Sequence, residues 1–326
     1  MEYARLGRSS LRISRLGFGA MGIGNPGWRK WVLEEDAARP ILRAAVEAGI
    51  NFVDTCDFYS AGASETVLGN VLWDYASRDE IVLATKLGNP MGTHPNARGY
   101  SRKHIFSAVD ASLKRLKTDY VDLLQTHIWQ PDTDLEELVV AFDDLVKSGK
   151  VRYVGATTMP AWAFVQCVNL AKQMGRTPFV SMQCEYNVCH REAERELIPF
   201  CRAYDIALVP FSPLARGFLC ADRRDARNAT ARHDSDDYTL KHYHRPGDFA
   251  ALECVAKIAA KRGVEPSQVA LAWALAQPGI ISPIFGATQV EHVASAVAAL
   301  DLKLDEEELR ALAGTYETRP LGAKSH

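Results

Sequence analysis

The sequence predicts an α/β fold, a (β/α)8 TIM barrel with an N-terminal hairpin and a long inserted loop after its seventh strand. Eight short segments are rich in Val, Ile and Phe, as is typical of strands buried on both faces. Amphipathic helical patterns lie between them, and successive strands start roughly 27 to 39 residues apart, the length of a strand–helix–strand unit. No linker divides the series, so we expect a single domain over residues 1–326.

The predicted strands follow one another along the whole chain. They are SRLGFG near the N-terminus, then GINFVDT, EIVLATK, YVDLLQTH, VRYVGAT, PFVSMQ, IALVPFS and GIISPIFGA. Among the helices between them, DLEELVVAFDDLVKSGK has apolar residues at helical spacing. Thr133 and Glu136 predict a capping box at its start, and Gly149 predicts its end. Other helices are expected over residues 62–77 and from Ser101 onward.

The glycines of LGFGAMG, residues 16–22, match the G-x-G-x-x-G pattern of a Rossmann dinucleotide-binding turn. Such a turn opens directly into a helix whose N-terminus receives the pyrophosphate. Here IGNPGWRKW follows, and Gly24, Pro26 and Gly27 are incompatible with a helix. We therefore favour the barrel, in which these glycines let the backbone approach a ligand at the mouth of the first strand.

The inserted loop spans residues 220–248 and is polar, with few large aliphatic side chains. Loops this long are uncommon in compact domains and are usually functional. We expect a flexible segment that closes over a ligand at the barrel mouth. A metal site is not expected, because the spacing of the candidate ligands matches no known site; these candidates are His233, Asp234, Asp236, His242 and His244.

Composition narrows the choice of partner. The 326 residues are 47% hydrophobic and 24% charged, with a net charge of -2, which argues against nucleic-acid and membrane-surface partners. The seven cysteines are scattered and form no C-x-x-C pair, as expected in a reducing cytoplasm. No targeting signal is visible, and the apolar stretch VALAWALA is too short to cross a bilayer. We expect a cytoplasmic protein that binds a small molecule; a homo-oligomer stays open.

Polar residues end the predicted strands and would converge on one face of a barrel, where all strand carboxyl ends meet. Each has an ordinary structural explanation when taken singly, but Tyr59 follows closely and together they form a chemical set. A phenol exchanges protons near neutral pH only if a close cation and a histidine lower its pKa from about 10. The strand-end residues are Asp54, Lys86, His127, Thr157, Thr158, Gln183, Ser212, Gly286 and Thr288.

Several spaced blocks resemble one known family. The blocks are GINFVDTCDFYSAGASETVLG, IVLATKLG, DLLQTHIWQPDTDLEEL, KVRYVGATTM, QCEYN, PFSPLARGFL and GATQVEHV. In this order they are similar to the aldo-keto reductase superfamily, in its bacterial general aldo/keto reductase branch. The resemblance extends from about residue 3 to residue 321.

The resemblance implies a NAD(P)H-dependent carbonyl reductase with a catalytic tetrad of Asp54, Tyr59, Lys86 and His127. Tyr59 would donate a proton to the carbonyl oxygen as hydride leaves the nicotinamide. Lys86, held by Asp54, would lower the pKa of Tyr59, and His127 would orient the carbonyl. The cofactor would lie across the barrel mouth, against Ala20, Met21, Asp54, Thr157, Thr158 and Gln183 at its nicotinamide end, Phe211, Ser212, Pro213, Leu214 and Arg216 at its pyrophosphate, and Gly286, Thr288 and His292 at its adenosine phosphate.

The chain also departs from the family pattern. Thr158 replaces an amide or guanidinium, and the residues after His292 lack the hydrogen-bonding groups that relatives place near adenine. A 2'-phosphate normally binds Arg or Lys, yet Thr288 and Gln289 are neutral. NADPH is expected and NADH stays open; the arginines that could compensate are Arg216, Arg223, Arg224 and Arg227.

Aromatic residues in neighbouring loops predict the substrate pocket. Trp28, Phe58 and Trp129, with Trp31 and Met91 nearby, would favour aromatic or aliphatic aldehydes over charged substrates, or would simply pack the loops. Two other functions stay open. One is a non-catalytic, nicotinamide-cofactor-binding regulatory subunit of the same fold, and the other is a barrel hydrolase or lyase.

Overall fold

The computed structural model of the chain describes residues 1–221, 232 and 235–318. A short antiparallel hairpin precedes a sheet of eight parallel strands, so the predicted barrel and hairpin are confirmed. The strands are β1 (Tyr3–Arg5), β2 (Arg12–Ser14), β3 (Gly17–Gly19), β4 (Phe52–Asp54), β5 (Val82–Leu87), β6 (Val121–Thr126), β7 (Val151–Thr157), β8 (Phe179–Gln183), β9 (Ala207–Leu208) and β10 (Ile284–Phe285).

The parallel strands β3 to β9 pair in chain order, and β10 returns to pair with β3. Bridges between Leu208 and Ile280 and between Phe211 and Ile284 join the two ends of the sheet. The Ile284 amide donates to the Pro210 carbonyl at 2.8 Å at the same junction. All carboxyl ends of the strands therefore lie at one end of the barrel.

Helices alternate with the strands and cover the outside of the sheet. They are α1 (Glu35–Glu47), α2 (Ala63–Val71), α3 (Arg102–Leu116), α4 (Leu135–Lys147), α5 (Ala161–Gln173), α6 (Leu197–Ala203), α7 (Asp237–His242), α8 (Pro246–Arg262), α9 (Pro266–Ala276), α10 (Val290–Ala298) and α11 (Glu306–Ala313). Single 3-10 turns occupy Ala20–Gly22, Tyr59–Gly62, Leu72–Asp74, Glu192–Glu194 and Ala215–Cys220. Among the described helices, none combines the length and apolar character that a membrane crossing needs.

The hairpin β1–β2 closes the amino-terminal end of the barrel. Leu6 and Ile13 are fully buried and pack with residues that point into the barrel, such as Phe52 and Val180. Gly7 has a φ of +55°, and a Cβ there would lie 2.6 Å from the Val180 carbonyl oxygen, so only glycine fits. A second, larger core lies between the sheet and the helices. The open end of the barrel is thus the one that holds the polar strand ends.

The structure changes some predicted boundaries. The side chain of Asp134, not Thr133, caps α4 by accepting from the amides of Glu136 and Glu137, so the predicted capping box was wrong. Asp accepts from two amides at once here, which makes it the better cap at this position. The helix predicted from Ser101 onward begins at Arg102, and the Ser101 side chain caps it by accepting from the His104 amide. The helix predicted over residues 62–77 ends earlier, at Val71, and continues as a 3-10 turn.

The inserted loop predicted over residues 220–248 is partly helical. Its described part contains α7, and α8 begins within it at Pro246, a residue suited to the first turn of a helix. Arg223, Arg224, Arg227, His233 and Asp234 lie outside the described residues. Among the residues that are described, no group of three or more His, Cys, Asp or Glu could hold a metal ion.

Candidate active site

A buried ion pair joins two of the predicted site residues at the carboxyl end of the barrel. Asp54 ends β4 and Lys86 lies on β5, and both are almost inaccessible to solvent. The Lys86 ammonium donates to Asp54 Oδ1 at 2.5 Å and to the Thr55 carbonyl at 2.7 Å. Burial lowers the pKa of Lys86, but the Asp54 carboxylate together with Tyr59 and Cys56 outweighs it and holds that pKa above its ordinary value. Lys86 is therefore a fixed cation.

The second oxygen of Asp54 is held by two amides from the far side of the barrel. Gln125 Nε2 donates to Asp54 Oδ2 at 3.1 Å, and Gln183 Nε2 donates at 3.0 Å. Gln183 was a predicted site residue, whereas Gln125 was missed. Gln125 lies two positions before His127, and alternate residues of a strand share a face, so the pattern of β6 contained the signal. The carboxylate is fully paired and cannot rotate.

Tyr59 meets this pair from a tight turn. Lys86 Nζ donates to the Tyr59 hydroxyl at 3.4 Å and lies 5.0 Å from the ring centroid. The next two residues, Ser60 and Ala61, both have a φ of +52°, a conformation that non-glycine residues rarely adopt. The backbone of this turn is therefore strained, and the turn places the phenol beside the lysine.

His127 completes the predicted tetrad. It follows β6, and its ring lies edge-on to Tyr59 with centroids 5.6 Å apart. Its backbone amide donates to the Leu87 carbonyl and to the Tyr100 hydroxyl, both at 2.9 Å. Its Nδ1 lies 2.9 Å from Cys56 Sγ and 2.6 Å from Asn89 Nδ2, two contacts that the sequence did not predict. The four predicted tetrad residues thus form one cluster.

The protonation states differ from one expectation. The sequence predicts that Lys86 lowers the pKa of Tyr59. The lysine does act in that direction, but burial raises the pKa by more, to about 12. Burial, with a smaller contribution from the Lys86 charge, lowers the pKa of His127 to about 3. Near neutral pH the cluster therefore holds a neutral phenol, a neutral imidazole and an ammonium.

The residues predicted at the nicotinamide end lie at the same end of the barrel as this cluster. The Ala20 carbonyl accepts from Ser64 Oγ at 2.9 Å, and Met21 follows it in the same half-buried 3-10 turn. The Thr157 and Thr158 hydroxyls lie 3.0 Å apart, and Thr158 has a φ of +49°. These residues occupy the carboxyl ends of β3 and β7.

The predicted pyrophosphate segment, residues 211–216, follows β9. Phe211 is anchored by its amide, which donates to the Cys184 carbonyl at 3.0 Å, and Asn187 Nδ2 donates to the Ser212 carbonyl at 2.9 Å. Ser212 and Arg216 have left-handed backbone, with φ of +54° and +58°. Arg216 Nε donates to the buried Asp236 carboxylate at 2.8 Å. Pro213 and Leu214 lie between these two left-handed positions.

The predicted adenosine-phosphate residues lie on the rim near α10 and are exposed. The Thr288 backbone amide donates to His292 Nδ1 at 3.3 Å, and the Thr288 hydroxyl lies 3.4 Å from the same nitrogen, so these two residues pair with each other. Gly286 lies beside β3, where a Cβ would stand 3.6 Å from the Gly19 carbonyl oxygen. Thr288 and Gln289 are neutral, so neither places a positive charge on this part of the rim.

The predicted substrate aromatics form two groups. Trp28 packs against Phe58 and Tyr59, with centroids 6.1 and 6.2 Å apart, so the structure brings it to the cluster. Trp129 packs edge-on against Trp162 at 5.4 Å, a partner that the sequence argument did not identify. Trp31 is buried beneath the Arg29 and Arg232 guanidinium groups rather than lining an open surface.

The comparisons with known proteins agree with this geometry. The sequence model of the Aldo/keto reductase family matches residues 15–317. The chain is 40% identical to versiconal hemiacetal acetate reductase of Aspergillus parasiticus, over 97% of both chains. It is 39% identical to a provisionally named aryl-alcohol dehydrogenase of Schizosaccharomyces pombe, over 98% of this chain and 97% of the relative. An aldo-keto reductase of Fusarium vanettenii is 37% identical over 100% of this chain and 94% of its own.

These three relatives are fungal, so the bacterial branch of the resemblance stays a prediction. The family match spans most of the chain, and relatives named as reductases or dehydrogenases cover nearly all of it. Both findings identify an oxidoreductase enzyme of the carbonyl-reducing kind. The chain belongs to the aldo/keto reductase family.

Proposed function

We propose that the protein reduces aldehydes or ketones to alcohols with NADPH, and that Tyr59 is the general acid. The observation that supports this most directly is the Asp54–Lys86–Tyr59 chain, in which a buried ammonium contacts the carboxylate at 2.5 Å and the phenol at 3.4 Å. The ammonium stabilises the phenolate that remains after the proton leaves. His127, edge-on to the same phenol, donates a second hydrogen bond to the carbonyl oxygen.

The protonation states fit the roles that a reduction assigns to Tyr59 and His127. With a pKa raised to about 12 by burial, Tyr59 is a phenol at neutral pH and has the proton that a reduction consumes. The reverse reaction needs a phenolate, which burial disfavours. His127, with its pKa lowered to about 3, is neutral. It would therefore donate a hydrogen bond to the carbonyl oxygen and would not transfer a proton to it. Both groups thus have the protonation states that carbonyl reduction needs.

The residues present fit a nicotinamide dinucleotide. Left-handed backbone at Ser212 and Arg216 shapes the loop after β9 at the mouth of the barrel, and the Arg216 guanidinium, paired with Asp236, lies in the same loop, a combination suited to phosphate oxygens. When bound, the cofactor supplies the hydride. Thr157, Thr158 and Gln183 would hold the carboxamide, residues 211–216 the pyrophosphate, and residues 286–292 the adenosine phosphate. Tight packing at the mouth would exclude water from the Tyr59 hydroxyl.

The choice between NADPH and NADH depends on cations near the adenosine end. Thr288 and Gln289 are neutral, whereas Arg216 and Arg232 converge on Asp236 at 2.8 and 3.0 Å. We infer that one of these guanidinium groups binds the 2'-phosphate while the other stays paired with Asp236. We therefore propose NADPH as the preferred cofactor. The check is the ratio of kcat/KM for NADPH to that for NADH, and a ratio below one would contradict the proposal.

An aromatic or extended aliphatic carbonyl is the substrate we propose. Trp28 and Phe58 form an apolar wall beside Tyr59, and Trp129 with Trp162 forms a second aromatic pair. Flat apolar walls bury aromatic rings well and leave charged groups unpaired. A relative that is named for aryl alcohols supports the same class. Because the seven cysteines, all among the described residues, form no disulfide bond, we also propose the reducing cytoplasm as the location of the enzyme.

The test is turnover of a carbonyl panel by the wild type and by Tyr59→Phe. Loss of the general acid should lower kcat about 10²- to 10⁴-fold, while fluorescence titration shows NADPH binding unchanged. Tyr204→Phe is the matched control, because this half-exposed tyrosine lies at the end of α6, and the variant should keep full activity. Equal rates for Tyr59→Phe and wild type would remove Tyr59 from the mechanism. Tight NADPH binding without turnover of any carbonyl would favour the regulatory subunit instead.

A further inference from the structure

The inner nitrogen of the His127 ring is contacted by two side chains that the tetrad does not include. Cys56 Sγ lies 2.9 Å from Nδ1, and Asn89 Nδ2 lies 2.6 Å from the same atom. Both side chains are buried, at 0% and 8% exposure. An imidazole nitrogen has either one proton or one lone pair, so these two contacts decide which tautomer the ring adopts.

The Cys56 thiol acts as a donor toward the ring. Its sulfur already accepts from the Phe58 amide at 3.3 Å, and burial raises the pKa of the thiol well above its ordinary value, so the S–H proton is retained. A neutral thiol that accepts weakly from a backbone amide has its proton left to donate. The Asp57 carboxylate lies 3.3 Å from the sulfur, and the ring nitrogen is closer.

Asn89 presents its amide nitrogen to the ring from a fixed loop. The preceding residue, Gly88, has its carbonyl held by the Gly99 amide at 2.9 Å and by Gln130 Nε2 at 2.8 Å. Gly88 has a φ of +122°, and a Cβ there would lie 2.5 Å from the Tyr100 hydroxyl that also anchors the backbone of His127. The loop that positions Asn89 and the strand end that positions His127 therefore share one anchor.

We propose that Cys56 and Asn89 are positioning residues that hold His127 as the tautomer with its proton on Nε2. Two donors on Nδ1 leave that atom as the acceptor, because neither an amide nitrogen nor a thiol already engaged by Phe58 accepts a ring proton well. Nε2, on the other side of the ring, then donates to a carbonyl oxygen beside Tyr59. This role rests on the proposed carbonyl reduction, which needs a hydrogen bond from His127.

The tautomer of His127 can be determined by nitrogen NMR without measuring enzyme activity. The full chain is labelled with ¹⁵N at the histidine rings, and its spectrum is recorded with and without NADP⁺; the His127→Asn variant identifies the two signals. Protonated and unprotonated ring nitrogens resonate far apart, so the spectrum assigns the proton directly. We expect Nε2 protonated and Nδ1 unprotonated. A protonated Nδ1 in the wild type, as an inverted Asn89 amide would produce, overturns the proposal.

Asn89→Asp is the decisive variant. The substitution keeps the shape and replaces a donor by a carboxylate acceptor, so it should draw the ring proton to Nδ1 and remove the donor from Nε2. We expect kcat to fall about 10²-fold, as when one hydrogen-bond donor to a developing oxyanion is lost, with the KM for NADPH unchanged. Asn169→Asp, at an exposed position on α5, is the matched control and should alter neither the spectrum nor kcat.

Cys56 gives a second route if Asn89→Asp does not fold. Cys56→Ala should leave a mixture of tautomers, and Cys56→Ser, which restores a donor, should return the Nε2 form. Cys167→Ala, at a buried position on α5, is the control. An unchanged tautomer in both Asn89→Asp and Cys56→Ala, with wild-type kcat, overturns the positioning role. An Nε2 tautomer in a protein that reduces no carbonyl would refute the proposed function while leaving this assignment of the proton intact.

Discussion

Replacing Asp57 by Asn should change how the stability of the protein depends on pH. Asp57 follows Cys56 in the turn after β4 and is 1% exposed. Its Oδ1 lies 3.3 Å from the Cys56 sulfur, and its Oδ2 finds no hydrogen-bond partner among the described residues. Burial, with help from the Glu65 charge, raises the pKa of Asp57 to about 7, and the Arg115 charge offsets only part of this.

The sign and size of the effect follow from linkage. The folded pKa is raised, so the native state holds a proton that the unfolded chain releases above about pH 4, and stability falls as pH rises from there through about 7. Each pKa unit corresponds to about 1.4 kcal/mol. Two units separate pH 5 from the folded pKa, so about 3 kcal/mol of unfolding free energy should be lost between pH 5 and pH 8 through this residue.

Urea unfolding of the wild type and of Asp57→Asn at pH 5 and pH 8 measures this loss. The readout is the difference between the two proteins at each pH, because every other titrating group contributes equally to both. We expect this difference to shift by about 3 kcal/mol in favour of the variant at pH 8. Asp301→Asn, at an exposed carboxylate, should show no such shift. A difference that is independent of pH would refute the assignment of a raised pKa to Asp57.

Two further predictions concern the packing between helices and loops. Burial raises the pKa of Asp143, but hydrogen bonds from Lys147, Thr177 and Arg176 outweigh it and lower the pKa to about 2. Asp143→Asn should therefore destabilise the protein by about 2 kcal/mol at pH 7. In acid unfolding, the difference between the variant and the wild type should vanish as the pH falls from about 4 to about 2. In α2, a Cβ on Gly69 would lie 2.3 Å from the Arg115 carbonyl oxygen of α3, so Gly69→Ala should destabilise by about 1–3 kcal/mol in urea. Gly314→Ala, where the nearest atom lies at 3.4 Å, is its control, and equal midpoints for the two variants would contradict the steric argument.

The barrel was predictable because its strands are encoded locally. Each is a short apolar run between turn residues, and regular spacing along the chain is what alternating strands and helices require. Polar residues at the strand ends then had to meet, since the carboxyl ends of parallel strands share one end of the barrel. Asp54, Lys86 and Gln183 do meet there. Helix ends were less predictable, as the cap of α4 shows, because Thr133 and Asp134 are both acceptable caps in sequence.

The electrostatics of the site could not be predicted in the same way. The sequence shows that a phenol, an ammonium and an imidazole are present, but not how deeply each is buried. Lys86 is 1% exposed and paired, so its charge survives, whereas the phenol beside it loses hydration that the lysine at 3.4 Å does not replace. The pKa of Tyr59 therefore rises where the sequence argument has it fall. Burial is a property of the assembled barrel and leaves no local pattern in the chain.

The two ends of the barrel differ, because one is closed by an apolar core and the other contains strained backbone. At the amino-terminal end, the hairpin residues Leu6 and Ile13 close a well-packed apolar core. At the opposite end, non-glycine residues with left-handed backbone recur in the loops that hold the proposed site: they are Ser60, Ala61, Thr158, Ser212, Ala215 and Arg216. Such conformations persist only where surrounding structure enforces them. Around Tyr59 the enforcement is local, because the Tyr59 amide donates to the Cys56 carbonyl at 3.3 Å and the Ala61 amide donates to the Phe58 carbonyl at 3.1 Å, and this turn holds Tyr59 against Lys86.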